Sequence, residues 1–170
     1  TDLDSTTKGY NELACFTANE GKGWRPIGSD FNSFSGILEG NNKTIKDVYI
    51  YETASNTGIF GRINNSIIQN LVVDNINIEG RAYNTGGLVG YSKYSEIINT
   101  QIYGNIHGAN NIGGIVGLNE NTDITNSYFE GDVSGNYFAI GGLVGNNDQN
   151  SLITNSSSNV NMYIIDNDYD

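Results

Sequence analysis

The chain has 170 residues, a net charge of −11, and one each of cysteine, proline and histidine. A length of this order suits one domain, the lone Cys15 excludes an internal disulfide and supplies no metal-ligand spacing, and so acidic a surface repels nucleic acid and anionic membranes. No apolar run approaches the roughly 20 residues that cross a bilayer as a helix, so neither nucleic-acid binding nor membrane insertion is expected.

The charge is unevenly placed. Residues 1–93 carry ten acids and all eight bases, whereas residues 94–170 carry nine acids and no base. With a single proline, the turns fall to 22 glycines and 27 asparagines, which tolerate left-handed backbone. The only methionine is Met162, so residue 1 is not an initiator and a processed form or an excised piece is expected. Cys15 reads as a small buried apolar group.

In chain order, residues 1–35 show no repeat. They place Trp24, Pro26, Phe31 and Phe34 among polar residues, which reads as an N-terminal capping segment closing one end of a core. The run from Phe34 to Ile50 opens the regular part, and Ile45-Lys46-Asp47 stands in it as a first Ile-x-Asx. Then Gly58-Ile59-Phe60-Gly61 recurs as Gly87-Leu88-Val89-Gly90, Gly114-Ile115-Val116-Gly117 and Gly142-Leu143-Val144-Gly145. The closing glycines Gly61, Gly90, Gly117 and Gly145 are 29, 27 and 28 residues apart.

Between them run Ile68-Gln69-Asn70, Ile97-Ile98-Asn99, Ile124-Thr125-Asn126 and Ile153-Thr154-Asn155. A fixed period with apolar positions in register is one unit copied along an axis, each copy burying its apolar face on its neighbours. Three short strands fit in each period, near Leu88, near Ile97–Tyr103 and near Ile106, and no helical periodicity appears. The expected fold is all-β: a right-handed parallel β-helix, a three-faced solenoid of about five rungs over residues 36–165, with an acidic tail at 166–170.

Registering the copies on the Asx predicts two inward columns. One is Ile45, Ile68, Ile97, Ile124 and Ile153; the other is Ile50, Val73, Ile102, Phe129 and Ser158. The polar column Asp47, Asn70, Asn99, Asn126 and Asn155 predicts an internal amide ladder. The repeated glycines read as turn formers.

The run Gly23-Trp24-Arg25-Pro26-Ile27-Gly28, then Phe34-Ser35-Gly36, Gly40-Asn41 and Thr44-Ile45, followed by the Gly-apolar-apolar-Gly repeats, resembles the GLUG-motif proteins. These are bacterial and archaeal secreted or surface proteins, among them adhesin-like proteins and the non-catalytic part of some immunoglobulin A1 metallopeptidases. The resemblance spans roughly residues 23–160 and implies an extracellular or cell-surface setting. Relatives often carry Asp-Gly-Asn-Gly where this chain has Glu39-Gly40-Asn41-Asn42.

Little catalytic chemistry is legible. His107 stands alone, with no His-Glu-x-x-His and no Gly-x-Ser-x-Gly beside it. Glu96 and Asp123 each precede their Asn by three residues on neighbouring rungs, which makes them a candidate calcium pair; Glu130 and Asp132 read as solvated acids. No Lys or Arg follows Lys93, so a polysaccharide lyase would lack its base there. Tyr83 and Tyr137, in equivalent turns, and Tyr91, Tyr94 and Tyr103, on one rung, are candidate sugar-stacking residues. No cofactor other than calcium is expected.

Three readings follow: a non-catalytic structural or adhesive segment, a filament subunit associating head to tail, and a polysaccharide-binding or polysaccharide-active β-helix. The partners implied are a second copy and a carbohydrate or host-surface ligand.

Overall fold

The computed structural model describes residues 2–136 and 138–165; it is a parallel β-solenoid of about five turns. Tyr137 and the acidic tail fall outside the described residues. The first turn uses β1 (Ile37–Lys46), β2 (Tyr49–Glu52) and β3 (Phe60–Asn64). The second uses β4 (Ile67–Gly80), β5 (Tyr83–Gly86) and β6 (Val89–Lys93). The third uses β7 (Glu96–Gly108), β8 (Asn110–Gly113) and β9 (Val116–Glu120). In the fourth the long arm is split into β10 (Asp123–Thr125) and β11 (Tyr128–Gly135), followed by β12 (Ile140–Gly141) and β13 (Val144–Asp148). The last holds β14 (Ile153–Thr154) and β15 (Ser157–Ile164).

These strands form three parallel sheets, one per face: the long arms β1-β4-β7-β10-β14 with β2, β11 and β15, then β5-β8-β12, then β3-β6-β9-β13. The second and third strands expected in each repeat merge into one bent arm. In β7 the bends fall at Asn99 and Gly104, whose φ values of 50° and 139° are left-handed; asparagine and glycine reach that region at least cost.

The alternation of each arm aims every second side chain inward. Leu38, Ile68, Ile97, Ile124 and Ile153 stand one above another. So do Ile45, Val73, Ile102, Phe129 and Ser158, and so do Ile50, Ile78, Ile106, Val133 and Met162. Each buried aliphatic contributes about 1.5–3 kcal/mol, so these columns are the main support of the fold.

The first turn corrects the predicted register. Ile45 stacks on Val73 and not on Ile68, and Ile50 stacks on Ile78. The cause is a bulge: between Glu39 and Lys43 the chain inserts Gly40-Asn41-Asn42 opposite the single Asn70. Asn41 and Asn42 both take positive φ, and the two extra residues shift Ile45-Lys46-Asp47 onto Val73-Asp74-Asn75. Asp47 accordingly accepts a hydrogen bond from Asn75 at 2.7 Å and leaves the Asn70 column.

Residues before β1 lie along the first turn as an irregular extra coil. Leu3, Ile27 and Phe34 donate backbone N–H groups to Thr44, Ile59 and Arg62. Trp24 donates its indole N–H to Ile59 O at 3.1 Å, and Phe34 packs on Phe60 with ring centroids 5.1 Å apart. Tyr10 and Ala14 are buried with them. Phe31, expected among the covering aromatics, is fully exposed. Cys15 is half-buried, not buried, with its sulfur 3.0 Å from Thr17 Oγ1 and 3.2 Å from Asn11 O.

Candidate functional site

One feature that recurs from turn to turn is a left-handed bend near the start of the strands of the β5-β8-β12 sheet, where the closing glycines of the β3-β6-β9-β13 sheet meet them. Asn56, Asn84 and Asn111 occupy it with φ of 68°, 62° and 45°. Each side chain reaches back one turn: Asn84 Nδ2 donates to Asn56 Oδ1 and Asn111 Nδ2 to Asn84 Oδ1, both at 2.8 Å. Asn56 Nδ2 donates to Asp30 Oδ1 at 2.7 Å, which also accepts from Arg62 at 3.1 Å. A carboxylate therefore ends the ladder at the capping coil. Ala139 takes the next place, at φ 55°, and stops it.

The repeated glycines are packing residues and not turn formers; Gly61, Gly90, Gly117 and Gly145 all lack positive φ. A Cβ on Gly90 would lie 2.5 Å from Asn56 Cα, one on Gly117 2.6 Å from Thr85 N, and one on Gly145 2.5 Å from Asn111 C. On Gly61 it would lie 2.5 Å from Gly28 O, in the capping coil. Each closing glycine thus presses on the corner of the coil before it, a distance that no side chain permits.

A second series binds the coils through hydroxyls. The N–H groups of Ser66, Ser95 and Thr122 donate to Ser95, Thr122 and Ser151 Oγ atoms, each at 3.1 Å. Thr100 and Ser127 do the same toward Ser127 and Ser156 at 3.2 and 3.0 Å. Neither this staircase nor the Asn56 ladder was read from the sequence, although Asn-Thr-Gly at 56–58 and 84–86 and Asn-Ile-Gly at 111–113 carried the signal.

The predicted ladder is an outer corner. Asn70, Asn99, Asn126 and Asn155 all take left-handed φ of 50–55°, and the last three are exposed. Asn99 donates to Asn70 at 2.7 Å, and Asn70 donates to Glu39. That turn throws the side chain outward, so the pairing of Asn99, Asn70 and Glu39 is an exposed one and the left-handed backbone is what all four asparagines share. Backbone N–H of Asn41 first, then the Asn70 amide, hold the Glu39 carboxyl below its ordinary range.

Glu96 and Asp123 do stand side by side, paired in register across β7 and β10. Both are exposed, and Asp123 Oδ1 accepts the Leu152 N–H at 3.1 Å. Among the described residues no group of three or more His, Cys, Asp or Glu is placed to hold a metal ion. Glu130 and Asp132 accept from Asn159 and Asn161 of the next turn.

His107 faces Ser134 Oγ at 3.0 Å; burial, then the Arg81 charge, lower its pKa. The Thr17 hydroxyl lowers that of Cys15. The tyrosines scatter over the faces. Tyr83 is exposed beside Asn110, and Tyr94 lies under Lys93 at 5.3 Å. Tyr91 donates to Glu120 at 2.7 Å beneath the Arg62 guanidinium. Tyr103 and Tyr128, on adjacent arms, meet edge to face at 6.0 Å. Lys93 pairs with Glu120 at 2.9 Å; this hydrogen bond first, and the one from Tyr91 next, hold the Glu120 carboxyl below the ordinary carboxylate range.

Comparison with known proteins agrees with this geometry. The GLUG motif matches residues 108–134 and 136–161, two consecutive coils by the register above. The chain is 35% identical over 95 residues to a protein of Evansella cellulosilytica named as a Gly-rich membrane protein, covering 54% of this chain and 11% of that protein. It is 30% identical over 148 residues to halomucin of Haloquadratum walsbyi, covering 84% of this chain and 1% of halomucin. The chain therefore spans a small part of either relative. No solved structure gives a significant match. With its repeats, its solenoid and this match in agreement, the chain carries the GLUG motif in consecutive coils and is similar to surface-type repeat proteins.

Proposed function

We propose that this chain is a non-catalytic structural segment of a protein displayed at the cell surface or outside the cell. One observation carries the reading: the residues that repeat, namely the closing glycines, the Asn56 ladder and the hydroxyl staircase, all meet a neighbouring coil. The names of the two relatives, a membrane protein and halomucin, support the surface setting. A solenoid of this kind acts as a stiff spacer whose length is set by coil number.

The test is a glycan array and whole-cell binding assay on the purified chain, with product analysis on soluble polysaccharides. The proposal expects neither saturable binding nor released product.

Polysaccharide recognition is the second reading, favoured by the Tyr103–Tyr128 pair on the outer face of adjacent arms. Saturable glycan binding lost in Tyr103→Ala would establish it in place of the first. The Glu96–Asp123 pair is proposed as a calcium contact serving the same structural role. Millimolar calcium then raises the melting temperature by mass action, and Glu96→Gln removes the rise; an unchanged melt leaves two solvated acids.

A further inference from the structure

Two tyrosine rings meet in the middle of the solenoid. Tyr103 on β7 and Tyr128 on β11 belong to the third and fourth coils and stand 25 residues apart in the chain. In register Tyr103 faces Glu130 and Tyr128 faces Gln101, so the tyrosines lie on the diagonal of one square of the outer face. Aromatic side chains span that diagonal. The ring centroids are 6.0 Å apart and the planes meet at 63°. Of the two ring pairs in contact among the described residues, this one joins two phenols, whereas the other is Phe34–Phe60.

Both phenols are tethered at the surface. Tyr103 donates its O–H to Gln101 Oε1 and Tyr128 donates its O–H to Glu130 Oε2, each at 2.8 Å. The Glu130 bond first, and burial next, raise the pKa of Tyr128. That phenol stays protonated and gives up its proton together with an electron, and the Glu130 carboxylate is placed to take the proton.

Charge also sets this pair apart. Tyr51, Tyr91 and Tyr94 lie under Arg81, Arg62 and Lys93 at 5.7, 4.5 and 5.3 Å. A cation over a ring attracts its electrons and opposes their removal. No Lys or Arg follows Lys93, and the charged group bonded to the Tyr103–Tyr128 pair is a carboxylate, which favours an electron-poor ring.

We propose that Tyr103 and Tyr128 form a site of oxidative cross-linking, joined as dityrosine by hydrogen peroxide acting through a haem peroxidase. Each phenol loses one electron and one proton to become a phenoxyl radical. The two radicals couple through a carbon–carbon bond between ring positions ortho to the oxygens. The hydrogens on those carbons then move to oxygen and restore both phenols. The two electrons and two protons released reduce one hydrogen peroxide to two waters. The bond staples the third coil to the fourth, in a chain whose lone Cys15 forms no internal disulfide. This chemistry needs only the geometry of the pair, whatever the setting of the chain.

The test treats the purified chain with hydrogen peroxide and a purified haem peroxidase, at a dilution that disfavours encounters between copies. The expected product is a monomer lighter by two hydrogens, with dityrosine fluorescence and one cross-linked peptide pair holding residues 103 and 128. Its melting temperature rises by roughly 5–10 °C, the effect of closing a loop of about 25 residues. Tyr103→Phe and Tyr128→Phe, each with unchanged circular dichroism, abolish the product, and Tyr94→Phe keeps it. No cross-link, one that joins other tyrosines or only separate chains, or one that leaves the melt unchanged overturns the proposal.

Discussion

Gly90 rests on the backbone of Asn56 in the preceding coil, so close that a Cβ there would lie 2.5 Å from Asn56 Cα. The same contact recurs one coil on, between Gly117 and the Asn84–Thr85 peptide, and again between Gly145 and Asn111. Asparagine supplies the left-handed corner, and glycine supplies the room for that corner to press against the next coil. The two residue types that dominate the composition thus act as a pair, one on each side of a single contact.

Asparagines at the two corners should therefore respond differently. Asn84→Gly keeps a left-handed turn but deletes a buried rung of the ladder, leaving Asn56 and Asn111 with lost partners, and should cost about 1–3 kcal/mol in urea unfolding. Asn99→Gly removes an exposed amide while glycine holds φ of 50° without strain, and should cost less than about 0.5 kcal/mol. Equal losses would mean that both columns carry the same load.

Ala139→Asn should stabilise the chain. Ala139 takes φ 55° in the column of Asn56, Asn84 and Asn111, a conformation that costs an L-residue about 1–2 kcal/mol and asparagine less. The new amide also faces Asn111. A melting temperature several degrees higher is expected; no rise would show that the ladder has no reach beyond Asn111.

Thr85→Val should be neutral or stabilising. The Thr57 and Thr85 hydroxyls are buried without a hydrogen-bond partner, and the same column continues as Ile112 and Ile140. Removing an unpartnered buried hydroxyl removes its desolvation cost, about 1–3 kcal/mol. A fall in urea midpoint greater than that of Asn99→Gly would reveal a partner for the hydroxyl.

Acid should act through Glu120. Lys93 and then Tyr91 hold its folded-state pKa below the ordinary 4.5, so its contribution is present above the unfolded value and is lost as pH falls through the folded one. Melting temperature should drop as pH goes below 4.5, and Glu120→Gln should flatten that part of the profile. An identical acid limb in the variant would place the titration elsewhere.

The periodicity made the solenoid, its coil number and the inner columns from the second turn onward legible, because register is set by apolar residues that no other arrangement buries. The first turn was misread because Ile45-Lys46-Asp47 imitates the repeat, while the bulge at Asn41 and Asn42 that displaces it has no apolar signature. Asn70 and Asn99 were assigned inward because a repeated polar residue looks the same whether it bonds inside or turns the chain outside. The decisive partner, Asn56 under Gly90, is 34 residues away in sequence. A contact at that separation across sheets is fixed by the triangular cross-section, which no local pattern encodes.

Urea unfolding of Gly117→Ala tests most directly whether the repeated residues serve coil-to-coil stacking. A Cβ at that position meets only backbone, 2.6 Å from Thr85 N and 2.7 Å from Gly90 O, so no side chain can swing aside and whole coils must separate. Overpacking of this kind costs about 1–3 kcal/mol, occasionally more, and a loss of at least about 2 kcal/mol is expected. Stability within about 0.5 kcal/mol of the parent, the range of an ordinary surface substitution, would contradict the account.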